Sequence, residues 1–328
     1  MEQIIFIADR MLGAAKRLTE APYLLSTLAF VLAAWAYEIK KGTATFNFVK
    51  YCFPKQVFLH PSARFDYKYF LFDRVFITGM HALGLVLLGL AVNKAVPFYE
   101  GISDNNFLIT IFYTAVLAIA YDFGKFIAHY LEHFVPFLWQ FHRLHHSAGV
   151  LTPITNYRAH PVDRIMAALC TLAMRFVVTG VFLLIFPGEL TVVEILGSNA
   201  LQLFINMLGS SLGHSHVWIS YGRVLNHIFI SPAQHQIHHS SEERHLDKNM
   251  GLKLAVWDWM FGTLYVPKER EQFKLGLKGE NWEVPTSVFD AYVGPFKRLK
   301  DPVNRALTRR GAEEKSAPAD TETEREAA

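Results

Sequence analysis

Two copies of one histidine-rich sequence carry the strongest chemical signal in this chain. His142-Arg-Leu-His145-His146-Ser147 and His235-Gln-Ile-His238-His239-Ser240 share the pattern H-x-x-H-H-S, and His129 and His133 lie just upstream of the first copy. The chain has 15 histidines in 328 residues, so composition alone predicts roughly 0.03 occurrences of H-x-x-H-H. Imidazoles clustered at helical spacing are a common way of holding transition-metal ions. The repeated pattern therefore predicts a metal site.

The spacing of these histidines indicates how many ions they could hold. Residues four apart on a helix lie about 40° apart around its axis, so His129 and His133 project from one face. The spacing i, i+3, i+4 does the same within each H-x-x-H-H copy. Eight imidazoles exceed the roughly four to six ligands of one ion and suit two ions. The predicted ligands are the eight motif histidines, with two more at the ends of apolar segments: His129, His133, His142, His145, His146, His235, His238 and His239, joined by His160 and His214.

Further polar residues are weaker candidates. His216 and His245 could be ligands or lie behind them, whereas His60, His81 and His227 are expected to be structural. Neutral ligands leave a metal centre strongly positive, so nearby carboxylates should compensate the charge or orient the rings. The same carboxylates could equally be plain helix-end or surface charges, and an all-imidazole site could hold zinc, copper or iron. The carboxylate candidates are Asp122, Glu132, Asp163, Glu242 and Asp247.

The composition is that of a membrane protein. Hydrophobic residues make up 52% of the chain and charged residues 19%, with a mean hydropathy of +0.19, which is too apolar for an ordinary soluble domain. The formal charge of +3 gives no support to nucleic-acid binding. We predict an all-α membrane protein with about four to five transmembrane helices and a cytoplasmic helical cap that carries the histidines. The candidate spans are Pro22–Tyr37, which is short, Val75–Val96, Phe107 to about Ile127, Ile165–Phe186 and Leu190–Leu212.

The distribution of Lys and Arg predicts the orientation of these spans. The segment 38–74 is rich in Lys and Arg, whereas the connections near 97–106 and Pro187 have almost none, so the basic segment is expected on the cytoplasmic side. The N-terminus would then lie outside, although Arg10, Lys16 and Arg17 oppose that placement, and a re-entrant first segment would remove the conflict. Threading the chain through the spans brings all the histidine motifs to the cytoplasmic face.

Other features of the sequence predict the cellular compartment and the domain boundaries. Cys52 and Cys170 are far apart in sequence, so we expect no structural disulfide and a reducing compartment. No cleavage site follows the N-terminal segment, so no cleaved signal peptide is expected. A bacterial inner membrane is favoured over the endoplasmic reticulum, because the end of the chain carries no apparent retrieval signal. The expected domains are an N-terminal segment 1–21, a membrane region with a cytoplasmic loop 22–128, a catalytic region with a transmembrane hairpin 129–266, a cytoplasmic extension 267–300 and a disordered tail 301–328.

From about Asp122 to Val266 the chain resembles the fatty acid hydroxylase / sterol desaturase superfamily of integral membrane di-iron oxygenases. The resemblance rests on three histidine boxes in this order and spacing, together with the residues around them. His216 is a departure, because bacterial members usually have Asn there. The matching stretches are Asp122, His129-x-x-x-His133, Leu138-Trp139-x-Phe141-His142-x-x-His145-His146-Ser147, Arg158-Ala-His160-Pro161, His214-Ser215, Ser231-Pro232-Ala-Gln-His235-x-x-His238-His239-Ser240, His245-Leu-Asp247-Lys-Asn249-Met-Gly251 and Trp257-Asp258-Trp-Met-Phe261-Gly262-Thr263.

The resemblance implies two iron ions, O2 as co-substrate and two electrons used to hydroxylate or desaturate a C–H bond of a membrane lipid. No catalytic side chain beyond the metal ligands is implied. The chain has no haem-binding H-P-G-G motif, so the electron donor would be a separate protein such as cytochrome b5, a ferredoxin or a similar reductase chain. Sterols, fatty acyl chains, ether lipids, carotenoids and aminolipids all remain open as substrates.

Two other classes of function stay open on the residues alone. One is a histidine-ligated metal-binding membrane protein or transporter without oxygenase activity, although transport favours polar groups near the bilayer midplane. Here the histidines gather at one face and Arg175 is the main polar residue within a span. The other is a bis-histidine haem protein, which would use two of the histidines and leave six unexplained.

Overall fold

A computed structural model of the chain describes residues 21–75, 107–186, 194–195, 198–199, 201, 212–277, 285 and 287–300. The described residues are mainly helical. The α-helices are α1 Ala21–Lys40, α2 Phe48–Cys52, α3 Lys55–Phe58, α4 over residues 61–75, α5 Phe107–Phe134, α6 Pro136–His146, α7 Pro161–Ile185, α8 Gly222–Leu225, α9 Pro232–His238, α10 Val256–Phe261 and α11 Val288–Lys300, with 3₁₀ turns at Pro153–Tyr157 and Glu243–His245 and strands β1 Glu194–Ile195 and β2 Ser198–Asn199.

Helices α5 and α7 are long and apolar enough to cross a membrane. Their 28 and 25 residues exceed the roughly 20 needed to span the hydrocarbon core of a bilayer. Much of α7 remains uncovered by protein, and Phe176 and Leu184 are 70% and 87% exposed. A long apolar surface of this kind requires a nonpolar environment. The exposed surface therefore fits a membrane-embedded position for α7.

Helices α5 and α7 pack against each other in an antiparallel pair. Near one end of the pair Tyr113 and Thr179 share a hydrogen bond of 2.8 Å between their hydroxyls. Further along, Gly124 lies against the backbone of Thr171, so that a Cβ atom at residue 124 would come within 2.9 Å of the Thr171 Cα. Small residues allow membrane helices to approach closely. This contact sets the separation of the two helices just before α5 reaches its histidines.

We expect Gly124→Ala to lower the free energy of unfolding by about 1–3 kcal/mol, because overpacking against backbone cannot be relieved by a side-chain movement. Thermal unfolding of the detergent-solubilised protein measures the change. Gly180→Ala is the matched control on α7, since a Cβ there meets nothing within 4 Å. Equal melting temperatures for the Gly124→Ala variant and the wild type would contradict the close approach.

The helices that carry histidines begin at well-defined caps. Helix α9 begins after Ser231, whose hydroxyl accepts from Gln234 N, while the Gln234 side chain accepts from Ser231 N. Helix α7 begins after His160 in the same manner, with Asp163 as the reciprocal partner. Proline occupies the first turn of both helices and of α6, where its missing N–H is not needed. These caps place each helix, and therefore its histidines, in a defined position.

Helices α4 and α11 pack against α6. Phe65, Tyr69, Leu144 and Ala291 form a buried apolar cluster that joins the three helices. Tyr292 of α11 stacks on Tyr69, with ring centroids 5.4 Å apart. Because Leu144 lies between the histidines of the first H-x-x-H-H copy, this packing holds α6 in place behind its ligands.

The helical fold class is confirmed, whereas the predicted count of four to five spans is not; two of the described helices are long and apolar enough to be spans. The first predicted span, Pro22–Tyr37, lies within the 20-residue helix α1, which is not one of the two candidate spans found among the described residues. The span Val75–Val96 lies almost wholly outside the described residues, as does most of Leu190–Leu212. Within the latter, Glu194 faces Asn199 and Ile195 faces Ser198 in an antiparallel ladder. At these four residues the structure differs from the predicted helix, and Gly, Ser and Asn in this stretch have low helix propensity.

Candidate metal centre

Nine buried or nearly buried histidines gather into two groups whose ring nitrogens face one another. In the first group, one ligand atom from each of five histidines lies within 4.8 Å of all the others. The Nε2 atoms of His129 and His142 are 3.1 Å apart, as are those of His133 and His146. We call this group cluster 1, and its members are His129, His133, His142, His146 and His238.

The second group, cluster 2, consists of His145, His214, His235 and His239. His214 lies at its centre. Its Nε2 is 3.0 Å from the Nε2 atoms of both His145 and His235, and 3.1 Å from that of His239. His235 is partly exposed and lines a cavity, whereas the other three are buried.

Each H-x-x-H-H copy supplies both clusters. On a helix, residue i+4 lies about 40° from residue i, while residue i+3 lies about 60° away on the other side. In α6 the first and last histidines, His142 and His146, belong to cluster 1 and His145 belongs to cluster 2. The second copy is divided the opposite way, with His238 in cluster 1 and the outer pair in cluster 2. The repeated sequence therefore builds a pair of neighbouring sites rather than one site twice.

Backbone carbonyl groups set the tautomer of several rings. The Nδ1 atoms of His129, His145 and His238 donate to carbonyl oxygens at 2.7, 3.2 and 2.8 Å. A carbonyl oxygen can only accept, so each Nδ1 carries the proton and each Nε2 keeps its lone pair for the cluster. Metal-binding histidines are oriented in this way in proteins generally.

A short segment, Asp247–Gly251, provides three of the groups that orient cluster 1. Its members Lys248 and Met250 supply the carbonyl acceptors for His238 and His129, and Asp247 Oδ1 lies 3.3 Å from His133 Nδ1. The segment is tightly bent, and Asp247 and Asn249 have φ angles of 54° and 56°. Such angles are uncommon outside glycine, and Asp and Asn tolerate them best.

Asp258 and Asn249 hold this bent segment in place. The two carboxylate oxygens of Asp258 accept from the backbone N–H groups of Met250 at 2.6 Å and Gly251 at 2.7 Å. Asn249 donates from Nδ2 to Gln234 O on α9 and accepts from Tyr265 N. A Cβ atom at Gly251 would lie 2.6 Å from the Leu254 carbonyl oxygen, so only glycine fits there. The carbonyls that orient His129 and His238 are thereby fixed by side chains remote from the clusters.

Two carboxylates stand behind His142. Its Nδ1 is 3.1 Å from Glu132 Oε2 and 3.8 Å from Asp163 Oδ2. Both carboxylates are buried, at 5% and 7% exposure, and each has one oxygen with no hydrogen-bond partner among the described residues. Burial alone would lower the pKa of His142, but the two negative charges outweigh it and raise the pKa to about 9. A carboxylate behind a ligating imidazole increases its basicity and offsets part of the charge of the metal.

The other clustered histidines outside the membrane-length helices are held neutral. Burial lowers the pKa of His214 and of His238 to about 3. Burial and the neighbouring histidines hold the pKa values of His145, His146, His235 and His239 well below the usual range. Neutral imidazole is the form that binds a metal ion.

The arrangement fits metal ions and is poorly explained without them. A nitrogen carries at most one proton, yet His214 Nε2 is in close contact with three other Nε2 atoms. The Nε2 of His238 is buried and has no hydrogen-bond partner among the described residues. Metal–imidazole bonds are about 2.0–2.1 Å long, and two such bonds at a right angle place their nitrogens about 3.0 Å apart. The observed spacings of 3.0–3.1 Å agree with that value.

We expect Glu132→Gln to weaken metal binding at cluster 1 by about 10–100-fold, because the amide keeps the shape but loses the charge behind His142. Competition with a graded series of chelators, followed by metal analysis, measures the change. Glu269→Gln is the control, since Glu269 is exposed and outside both clusters. A Glu132→Gln protein that resists chelators as well as the wild type would show that this carboxylate does not support the site.

A cavity of about 560 Å³ adjoins both clusters. His129 and His142 of cluster 1 line it, as do His145, His214 and His235 of cluster 2. Its other walls come from α5, α7 and the segments around residues 230 and 252. The volume is within the range of small-molecule sites, so a substrate group could reach both clusters from one space.

His160 is the predicted ligand that the structure leaves outside both clusters. Its Nδ1 accepts from Val162 N at 3.1 Å, and its Nε2 donates to the Tyr292 carbonyl at 3.1 Å. With both nitrogens committed to backbone groups at the start of α7, the ring has no lone pair for a metal. The structure thus places His160 at the cap of α7 and in neither cluster.

The remaining candidates also lie away from the clusters. His216 Nε2 donates to Tyr51 O, and His245 lies between Ser240 and Glu271. Asp122 accepts from Leu254 N and Trp257 Nε1, which ties α5 to the chain beyond the bent segment. His60 accepts from Ser62 N and His227 donates to Arg223 O, whereas His81 lies outside the described residues. Glu242 contacts neither cluster.

The positioning role of Asn249, Asp258 and the backbone carbonyls was missed in the sequence. Asn249 and Asp258 belong to the motif that resembles the superfamily, but nothing in their residue types shows that they act through the backbone of Asp247–Gly251. Lys253, which lines the cavity, also gave no signal, because a single lysine has no pattern.

Comparison with known proteins agrees with this geometry. A family model described as fatty acid hydroxylase matches residues 114–263, which contain all nine clustered histidines. An ornithine lipid hydroxylase of Rhizobium tropici is 31% identical over 159 residues, covering 48% of this chain and 44% of that protein. An alkylglycerol monooxygenase of Xenopus tropicalis is 28% identical over 156 residues, covering 48% of this chain and 31% of the relative.

A Delta(7)-sterol-C5(6)-desaturase of Nicotiana tabacum is 26% identical over 181 residues, covering 54% of this chain and 58% of the desaturase. The matched region thus spans 31% to 58% of the length of these three relatives. No solved structure shows a significant match.

Proposed function

We propose that this chain is a membrane-bound di-iron lipid oxygenase of the fatty acid hydroxylase / sterol desaturase superfamily, because residues 114–263 match the fatty acid hydroxylase family model and resemble lipid hydroxylases, monooxygenases and desaturases. It would use O2 and two electrons to hydroxylate or desaturate a C–H bond of a lipid. The observation that carries the proposal is the pair of histidine clusters opening on one cavity beside two membrane-length helices.

The nine clustered histidines are the proposed ligands, five for one ion and four for the other. Iron suits imidazole, as zinc and copper do, and the superfamily favours iron. When bound, a pair of iron ions would supply redox chemistry in which O2, two electrons and two protons convert the lipid either to a hydroxylated product and one water or to a desaturated product and two waters. We propose no further catalytic side chain for that chemistry.

The remaining parts of the site position the ligands. The carbonyl groups of Lys248, Met250 and Arg158 keep Nδ1 protonated so that Nε2 faces the metal. Glu132 and Asp163 support His142 from behind.

The setting is also proposed. A lipid lying in the bilayer could reach the cavity along α5 and α7, both of which line it. The basic segment 38–74 favours a cytoplasmic position for the clusters, and a bacterial inner membrane fits this arrangement. A separate protein such as a cytochrome b5 or a ferredoxin would supply the electrons. The proposed catalytic region 129–266 would need to begin earlier, because α5 runs without a break from Phe107 to Phe134.

Comparison of membrane lipids tests the proposal. Lipids from cells that lack this protein are compared by mass spectrometry with lipids from cells that produce it, and with cells that produce the His238→Ala variant. We expect a lipid with one added oxygen atom or two fewer hydrogens only when the intact protein is present. Unchanged lipids in the presence of abundant metal-loaded protein would favour a metal-binding protein without oxygenase activity.

A further inference from the structure

Three cationic side chains line the same cavity as the two histidine clusters. They are Lys125 of α5, Arg164 of α7 and Lys253, which follows the bent segment Asp247–Gly251. Lys125 lies one helical turn before His129, and Lys253 lies three residues after Met250, whose carbonyl orients that same histidine. The cations are therefore placed beside the clusters and not at a distant surface.

The three cations differ in their partners. Arg164 donates from Nη2 to Asp73 Oδ2 at 2.8 Å and is neutralised there. Lys253 Nζ forms no ion pair or hydrogen bond with any residue that the structure describes. The only described carboxylate that raises the pKa of Lys253 is Asp122, which is occupied by Leu254 N and Trp257 Nε1. Lys253 thus presents an unneutralised ammonium group to the cavity.

The surroundings of Lys253 disfavour a bare ammonium group. Burial, followed by the nearby charge of Lys125, lowers the pKa of Lys253 to about 8, so the group is still mainly protonated at neutral pH. Glu132 and Asp163 also line the cavity, but both lie behind His142, with oxygens 3.1 and 3.8 Å from its Nδ1. An anion placed beside Lys253 and Lys125 would relieve the repulsion between these two cations. The metal ions proposed for the clusters would add further positive charge to the cavity.

We propose that the cavity selects lipids that carry an anionic group, a carboxylate or a phosphate, which Lys253 and Lys125 bind beside the clusters. This inference rests on the proposed function, since it assigns a class of substrate to that site. The acyl or alkyl chain would then run along the apolar wall that Ala128, Ala167 and Ala168 provide between α5 and α7. A neutral sterol or alcohol would leave the Lys253 ammonium group, whose pKa burial lowers, without a counterion, which is unfavourable.

Binding without turnover tests the inference. The full chain, loaded with iron and kept free of electron donors, is equilibrated in detergent with hexadecyl phosphate, palmitate or hexadecanol, which share one chain length. We expect the two anions to bind at least about tenfold more tightly than the alcohol, since hydrogen bonds to charged groups are the stronger ones. Equal affinities for the three probes would overturn the proposal.

Variants of Lys253 and Lys125 test whether these lysines cause the preference for anionic probes. Lys253→Met and Lys125→Met should each reduce the preference for the anions by about tenfold, and Lys253→Arg should keep most of it. Lys268→Met, at an exposed lysine outside the cavity, should leave it unchanged. Iron content confirms that each variant is folded. If Lys253→Met loses iron, its affinities are not interpretable. The test then rests on the three probe affinities of the wild type and on Lys125→Met, and an undiminished preference for anions in Lys125→Met would contradict the proposed site.

Two further outcomes separate this inference from others. Inorganic phosphate should compete only weakly, and competition as strong as that of hexadecyl phosphate would show a site for a soluble anion and overturn the lipid assignment. Because no O2 or electrons are used, a protein that binds anionic lipids but never oxidises them would contradict the proposed function alone. An active oxygenase that binds hexadecanol equally well would contradict the anionic preference alone.

Discussion

Replacing His214 by alanine should remove about one metal ion per chain and abolish lipid oxidation. His214 Nε2 lies 3.0–3.1 Å from each of the other three Nε2 atoms of cluster 2. Without it cluster 2 keeps three ligands. Its affinity for metal should fall by more than the roughly 10–100-fold that follows the loss of a residue hydrogen-bonded to a ligand. Cluster 1 keeps all five of its histidines, so it should keep its metal. Metal analysis and product analysis of one purified preparation measure both effects.

His160→Asn is the informative control for this prediction. Asparagine can still cap α7, because its side chain accepts from the same backbone N–H group. Since both nitrogens of His160 bond to backbone groups, we expect this variant to keep two metal ions and most of its activity. Loss of a metal ion from His160→Asn, or full activity in His214→Ala, would show that the two clusters are not the metal sites.

The second large effect is expected at Arg158, the largest fully buried side chain in the described part of the protein. Arg158→Met should lower the free energy of unfolding by about 3–5 kcal/mol, the usual cost of leaving one partner of a buried ion pair alone. The guanidinium pairs with Asp66 and donates to Ser62 O at 2.8 Å and to Ser147 Oγ at 3.1 Å. Ser147 directly follows the first H-x-x-H-H copy, so the network joins α4 to the end of α6.

Thermal unfolding in detergent measures this change, and two further variants interpret it. The Asp66→Leu/Arg158→Met double variant should lose less than the sum of the single variants, because no buried charge is left uncompensated. Arg270→Met removes the exposed pair with Glu38 and should cost less than about 1 kcal/mol. If Arg158→Met melts like Arg270→Met, the buried network is not what fixes α6. We also expect Arg158→Met to lose metal. The Arg158 side chain fixes the backbone at residue 158, and the carbonyl group of that residue orients His145.

Much of the site was predictable because its chemistry is concentrated in one rare residue type. The eight motif histidines and His214 all lie in the two clusters, whereas their role as ligands stays a prediction. Which cluster each histidine enters could not be deduced, because it depends on the angle at which α6 and α9 meet. His160 was predicted as a ligand from its position before Pro161. A histidine in that position can also cap a helix, and in the structure His160 does so, with Asp163 as the reciprocal partner.

The orienting groups were harder to predict because most are backbone atoms. Any residue type has a carbonyl group, so the roles of Lys248 and Met250 depend on the bend of the segment that contains them. The bend in turn depends on Asp258. The membrane-length helices α5 and α7 followed directly from hydropathy, whereas their close contact at Gly124 required knowledge of which faces meet.

The fate of molecular oxygen tests the central claim most directly. The purified chain, loaded with iron and supplied with membrane lipids, electrons and dioxygen enriched in the heavy isotope, is followed by mass spectrometry of the lipids. We predict a lipid that gains one heavy oxygen atom, or loses two hydrogens as O2 is consumed, only when iron and both clusters are present. Lipids that remain unchanged under these conditions, with two iron ions bound per chain, would contradict the assignment of this protein as a lipid oxygenase.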